Sequence, residues 1–343
     1  MRRRWVKWVR RLAVAALAIV LVPVLAATAV LGYAYIGDPA PRSSSTGNDA
    51  LWMGHAWVDG RRDAEDFQRL AERLRASGIR DVYVHVGPLS DEGTLDAELH
   101  PRSQWFLDQM DDALPDVRVS AWLGNVVGPE GLDLDHKATR QNILDAARTM
   151  LREGFDGIHY NFEPVPSGNH GLLRLLRRTH ELTAASDGVL SMAAEPTEPF
   201  PTAAPISRRI ARPLYWTTGY LHEVAERVDQ VAIMVYDSGM PLPFLYGGYV
   251  VRQTKRALET VPPSTALLIG APAYPDDTLF YRPYAETVAG TARAVRVALT
   301  EHPGRRPNVG IAMYVDFAAT RQDWQEYFRG WVRPPGATPR SAR

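Results

Sequence analysis

The chain contains no cysteine. That excludes disulfide bonds, a thiol nucleophile and thiolate metal ligands, and it is compatible with a reducing or an oxidising compartment. Neither sign of charge is in excess, with 39 Lys plus Arg against 39 Asp plus Glu, so general capture of nucleic acid or another polyanion is not expected. Also missing are a Gly-rich dinucleotide fingerprint after the first strand-like run, a P-loop, an HExxH zinc motif and a GxSxG nucleophile elbow. His55, His85 and His159 can approach one another on neighbouring inward-facing strands, but no carboxylate stands at ligand spacing beside them, so no metal is expected. No cofactor is expected either. Carboxylates, amides, hydroxyls and aromatic rings are left to do any chemistry.

Residues Met1 to Arg11 hold six Lys or Arg side chains, and residues 12–36 hold no charged side chain at all. The apolar run exceeds the roughly 20 residues that cross a bilayer as a helix, and the basic flank should stay on the cytoplasmic side. Residues 1–11 are therefore read as a cytoplasmic segment, 12–36 as a transmembrane anchor, and 37–49, rich in Pro, Ser and Gly, as a linker. A cleaved signal sequence, with Ala27 and Ala29 near the cleavage site, is the rival reading. Either way, the remainder is expected outside the cytoplasm, attached to the membrane or secreted.

Residues 50–330 are long enough for one large domain, followed by a tail at 331–343. Eight apolar, strand-like runs are predicted at 51–58, 79–86, 117–123, 155–163, 189–194, 228–236, 266–271 and 308–315. Stretches of helical period separate them, including 249–260, 283–301 and 321–328. Strands alternating with helices imply parallel pairing through right-handed crossovers, and eight units fit a closed (β/α)₈ barrel. Such a barrel carries its working residues at the strand C-terminal ends, where Glu163, Glu195, Asp237 and Asp316 fall.

The stretch Gly154 to Pro164, GFDGIHYNFEP, reads as a turn followed by a buried strand. Alternation puts His159, Asn161 and Glu163 on one face, with Glu163 at the mouth. Desolvation beside aromatic rings favours the acid form of a Glu and prepares it as a general acid, while the Asn161 amide can orient a substrate group. The bland alternative is a satisfied internal polar network with Glu163 as a solvated strand end. In MVYDSG, Met234 to Gly239, Tyr236 can offer its hydroxyl to a substrate carbonyl and Asp237 can bind sugar hydroxyls, or merely cap a turn. Trp57, Tyr83, Trp122, Trp216, Tyr246, Tyr274 and Tyr314 gather near predicted strand ends, where flat rings suit stacking on sugars or simple packing.

At Asp156, Gly157, Asn161 and Glu163 the sequence resembles the glycoside hydrolase family 18 superfamily of chitinases and endo-β-N-acetylglucosaminidases. Its fourth-strand motif is DGxDxDxE, and DGIHYNFE here keeps the first two residues and the last while placing His159 and Asn161 at the intermediate acidic positions. MVYD resembles that family's sixth-strand MxYD, and GVLSMAAEP, Gly188 to Pro196, its fifth strand more loosely. Met313 and Tyr314 stand where the family often has a floor Trp. The NFE of Asn161 to Glu163 is similar to the Asn-x-Glu of family 85 endo-β-N-acetylglucosaminidases. The resemblance implies substrate-assisted hydrolysis of an N-acetylhexosamine glycan, with Glu163 as acid and then base, Asn161 orienting the acetamido group and Tyr236 as a further acetamido contact. Asp237, His159, Asp156, Trp57, Tyr83, Trp122, Glu195, Trp216 and Tyr314 complete the expected substrate-binding set. Two alternatives stay open: a catalytically silent barrel that binds glycan or a partner, and an Asp/Glu glycosidase that pairs Glu163 with Glu195 or Asp237.

Overall fold

A computed structural model describes residues 2–198, 215–278, 280–304 and 306–336. Eight parallel strands close into a barrel in sequence order. They are β1 (Asp49–Met53), β2 (Ile79–Pro88), β3 (Arg118–Val126), β4 (Gly157–Glu163), β5 (Val189–Ala194), β6 (Gln230–Ile233), β7 (Ala266–Pro272) and β8 (Val309–Tyr314). The (β/α)₈ expectation holds. Residues 199–214, after β5, lie outside the described residues, as do residues 337–343 of the tail.

Helix α1 (Arg2–Ala34) precedes the barrel, and around it run α2 (Ala64–Ser77), α3 (Ser103–Ala113), α4 (Lys137–Arg152), α5 (His170–Ala184), α6 (Thr218–Ala225), α7 (Pro243–Thr260), α8 (Val288–Glu301) and α9 (Arg321–Tyr327). Two helix starts differ from the sequence reading. α7 begins six residues before the expected Tyr249, because Pro243 at its first turn suits a helix start and Gly247 and Gly248, which thinned the apolar pattern, lie inside it. α8 begins at Val288 rather than Pro283, because the Thr287 side chain caps it by accepting the Gly290 N–H. β6 stops at Ile233 instead of Tyr236, and the chain turns at Asp237 with φ 54°.

One arrangement recurs at the strand entrances. Asp49, Asp156 and Asp229 each accept a backbone N–H from the preceding strand, from Ile311 at 2.8 Å, Val119 at 2.7 Å and Leu190 at 2.8 Å. These carboxylates pin the N-terminal ends of β1, β4 and β6 to β8, β3 and β5. The interior above them is polar as well as apolar. Arg118 holds Asp81, Asp81 accepts from Gln230, and the Tyr83 hydroxyl donates to Gln230. Next comes His159, wholly buried, with Trp52 Nε1 donating to its Nε2 at 2.9 Å, Ser191 Oγ 2.9 Å from its Nδ1 and the Tyr83 ring stacked on it at 3.8 Å. Burial holds the His159 pKa well below its ordinary value, so the ring is neutral in this network.

β4 lies unusually close to both neighbours. A Cβ on Gly124 would meet the Asn161 carbonyl oxygen at 2.1 Å, and one on Gly157 would meet the Val189 carbonyl oxygen at 2.3 Å. Glycine is required at both points by contact rather than by backbone angle. Gly124→Ala is therefore expected to destabilise the barrel by about 1–3 kcal/mol, the range for overpacking. Gly219→Ala, in α6 with nothing within 4 Å of the new methyl, is expected to be neutral or to stabilise by up to about 1 kcal/mol. Thermal unfolding of the two variants checks the contrast, and equal melting temperatures would contradict the close-approach account.

Candidate active site

Glu163 ends β4 at the barrel mouth, and Asn161 sits one layer below it, opposite Gly124 of β3. The Asn161 amide hydrogen-bonds the Glu163 carboxyl. Its own Oδ1 is buried with no hydrogen-bond partner among the described residues. A buried acceptor left without a donor costs about 1–3 kcal/mol. Such a group calls for a donor supplied by something that binds there.

The Glu163 carboxyl reaches solvent through the mouth yet has protein packed around most of it. Burial raises its pKa, the Asn161 hydrogen bond opposes the rise, and the charge of Asp237 adds to it. Glu195, just past β5, is raised well above the ordinary value by burial and by the neighbouring Glu163 charge. Of these two carboxyls, Glu195 is the one raised further.

Tyrosines line the space beside them. Tyr236 stacks on Tyr314 at 5.3 Å, and Tyr274 meets both rings edge-on at 6.1 and 5.8 Å. Burial raises the Tyr236 pKa well above its ordinary value, with Tyr314, Glu163, Asp237 and Glu195 adding to the rise. Its hydroxyl stays protonated and available as a donor. Trp122 and Trp52 each place an edge against Tyr314, at 6.2 and 5.6 Å.

Asp237 is one of two non-glycine residues with positive φ among the described residues. The strain is held in place by its surroundings. Tyr274 donates its hydroxyl to Asp237 Oδ1 at 2.8 Å, and the next residue, Ser238, gives its N–H at 3.2 Å and its hydroxyl at 2.9 Å to the buried Glu286. Burial pushes Glu286 up to about 7 against those hydrogen bonds. Sequence reasoning missed Glu286, because it was read as part of a surface helix. The Thr287 cap immediately after it was the available signal that Glu286 lies in the loop before α8 rather than within it.

The structure thus brings Glu163, Asn161, Tyr236, Asp237, Glu195 and Tyr314 to one mouth, with Trp122 against its edge. The other expected binding residues lie elsewhere. Asp156 sits at the opposite end of the barrel, pinning β4 to β3. His159 and Tyr83 belong to the buried interior network, which fits the bland reading for His159. Trp57 is buried and donates Nε1–H to Asp316 at 2.6 Å, and Trp216 is buried and donates to the Val165 carbonyl at 2.9 Å. Packing and hydrogen bonding therefore account for these five side chains. Asp316 also accepts the Gly54 N–H, so it ties the β1 loop to the β8 end. Among the described residues no three His, Asp or Glu side chains gather in a way that would hold a metal ion. A surface hollow lined by Leu95, His100, Asn142, Met150 and Glu153 lies outside the barrel and shares no residue with the mouth.

No protein-family model and no curated protein matches the chain. Solved structures do. The spore cortex-lytic enzyme SleL of Bacillus megaterium QM B1551 superposes with a TM-score of 0.58 at 14% identity, over 84% of this chain and 74% of that one. A chitinase from Chromobacterium violaceum ATCC 12472 gives 0.56 at 14% identity, over 84% and 98%. A class V chitinase from Pseudomonas fluorescens Pf-5 gives 0.56 at 14%, over 82% and 98%. The likeness is one of fold. At such identity the chemistry must be argued from this chain's own side chains.

The Glu286 brace yields a pH prediction. A carboxyl whose folded pKa is raised from 4.5 to about 7 contributes stability that is complete below pH 4.5 and is lost as pH rises through 7, by on the order of 3 kcal/mol. Glu286→Gln keeps an acceptor for Ser238 and removes the ionisation, so its melting temperature is expected to fall less than the parent's between pH 5 and pH 7.5. Parallel curves would show that Glu286 does not carry this dependence.

Proposed function

We propose that this protein is a glycoside hydrolase acting outside the cytoplasm, from a membrane anchor, on glycan that contains N-acetylhexosamine. The observation that carries the reading is the buried, donor-less Asn161 Oδ1 directly beside a Glu163 whose acid form is favoured. An acetamido N–H is the donor that such an acceptor lacks. Held by Asn161 and by the Tyr236 hydroxyl, the substrate's acetamido carbonyl oxygen attacks the anomeric carbon as the glycosidic C–O bond breaks. Glu163 gives its proton to the leaving oxygen. The resulting cyclic oxazolinium is opened by water, whose proton returns to the Glu163 carboxylate, and the anomeric configuration is retained.

This route needs no protein nucleophile, and the carboxyls present support that. A nucleophilic Glu must be ionised, and burial, with the Glu163 charge adding to it whenever Glu163 is ionised, raises the Glu195 pKa well above its ordinary value and so disfavours its carboxylate. That weighs against a Glu163–Glu195 pair. Two of the similar folds are called chitinases and one a spore cortex-lytic enzyme, which supports glycan as the substrate class. The basic segment followed by one apolar helix supports the anchor.

The test is incubation of the chain with N-acetylglucosamine oligomers, peptidoglycan fragments and an N-glycan, with products read by mass spectrometry. Glu163→Gln is expected to lower kcat by about 10²–10⁴, the usual contribution of general acid–base catalysis, with a smaller loss on a substrate whose leaving group needs no proton. Asn161→Ala is expected to slow cleavage of acetamido sugars of every leaving group alike. A folded parent that leaves all three glycan classes intact would contradict the proposal.

A further inference from the structure

The apolar helix does not end in a free linker. Among the described residues its stretch Leu17–Ala34, of mean hydropathy 2.3, is only 6% buried, but its last turns are seated on the barrel. Gly248 of α7 lies so close that a Cβ there would meet the Leu31 carbonyl oxygen at 2.0 Å, and one on Gly247 would meet the Tyr35 ring at 2.3 Å. Arg293 of α8 donates to the Tyr35 carbonyl at 3.0 Å and lies over its ring at 4.6 Å. The chain then descends along α8, with Ala40 N–H donating to Thr300 and Thr46 to the Pro307 carbonyl, before entering β1 at Asp49.

The direction of this path matters. In a (β/α)₈ barrel each helix starts at the mouth and ends at the floor. Phe244, Gly247 and Gly248 are in the first two turns of α7, so α1 joins the barrel at the mouth side and the chain runs from there to the floor. An independent observation falls on the same side. Beyond residue 36, the exposed large apolar side chains among the described residues are Val126, Leu242, Phe244, Phe280, Tyr284 and Phe317. Every one belongs to the strand-to-helix side: the end of β3, the start of α7 and the loops after β6, β7 and β8. Phe280 and Phe317 are 54% and 63% exposed. Exposed rings and aliphatic groups around one rim, beside the exit of a membrane-length helix, match the interfacial zone of a bilayer, where aromatic side chains settle.

We infer that the barrel stands with its mouth against the bilayer that holds α1, its rim residues resting in the lipid interface. The inference rests on the anchor reading, and it brings the site to saccharide displayed at the membrane surface ahead of glycan in bulk solution. The absence of native cysteine makes the test direct. Single Phe280→Cys and Phe317→Cys variants on the rim, and Asp116→Cys and Ser186→Cys at the opposite end, are labelled with an environment-sensitive dye. Each full chain is then reconstituted into phosphatidylcholine–phosphatidylglycerol vesicles with brominated lipid as quencher.

Flotation with the vesicles, together with at least several-fold stronger lipid quenching at 280 and 317 than at 116 and 186, is the expected result. Flotation with stronger quenching at 116 and 186, or with no quenching at any position, overturns the orientation while leaving the anchor intact. Rim dyes shielded from both brominated lipid and aqueous iodide would show a protein partner or second copy on the rim and would also overturn it. Failure to float removes the anchor reading and the inference with it. None of these readouts depends on hydrolysis, so they stand apart from the assay of the proposed activity.

Discussion

Gly124 and Gly157 set the spacing of β4 between β3 and β5, and Asn161 and Glu163 at the mouth take their positions from that strand. Both contacts are backbone against an absent side chain, at distances no Cβ tolerates. With Asp156 fixing the lower end of the strand to Val119, register leaves Asn161 opposite Gly124 and Glu163 opposite Val126. The Asp-Gly pair thus works as a structural clasp. Its effect on chemistry is transmitted along the strand to two residues about 20 Å of chain or less away, at roughly 3.3 Å per residue.

From that placement follows the electrostatic character of the mouth. Glu163, Glu195 and Asp237 crowd a space walled by tyrosines, and burial raises all three, with the Asp237 charge adding to the rise of Glu163, Glu163 to that of Glu195 and Asp276 to that of Asp237. Environments that differ among close carboxyls divide their roles. Glu163 keeps a hydrogen bond from Asn161 and access to solvent, which suits a group that must both give and regain a proton. Glu195 lacks that assistance, and its pKa is raised further. Asp237 is fixed by Tyr274 and by the Ser238–Glu286 brace behind it, so the strained turn presents one geometry.

Much of this was legible in the chain. The eight strand-like runs were visible because parallel barrel strands are apolar on both faces and punctuated by turns. The Glu163 and Tyr236–Asp237 positions followed from strand ends. The parts that were not legible depend on distant pairing. Glu286 acquires meaning only through Ser238, 48 residues earlier. His159 shares a strand face with Glu163, but Trp52, Tyr83 and Ser191 from three other strands satisfy it in the interior. Trp57 and Trp216 sit near strand ends and still point their N–H groups into structural hydrogen bonds. Alternation reports which face a residue takes, not how deep the barrel buries it.

The central claim is that Asn161 receives an acetamido group for attack on the anomeric carbon beside Glu163. Calorimetric binding of N-acetylglucosamine thiazoline, a stable analogue of the cyclised intermediate, tests it most directly at mildly acidic pH, where the protonated ring nitrogen carries the N–H that Asn161 Oδ1 accepts. The parent is expected to bind the thiazoline well above N-acetylglucosamine in affinity, and Asn161→Ala to lose at least about tenfold, the equivalent of one hydrogen bond of about 1.4 kcal/mol. Equal affinity of parent and Asn161→Ala, or no binding by a folded parent, would contradict it.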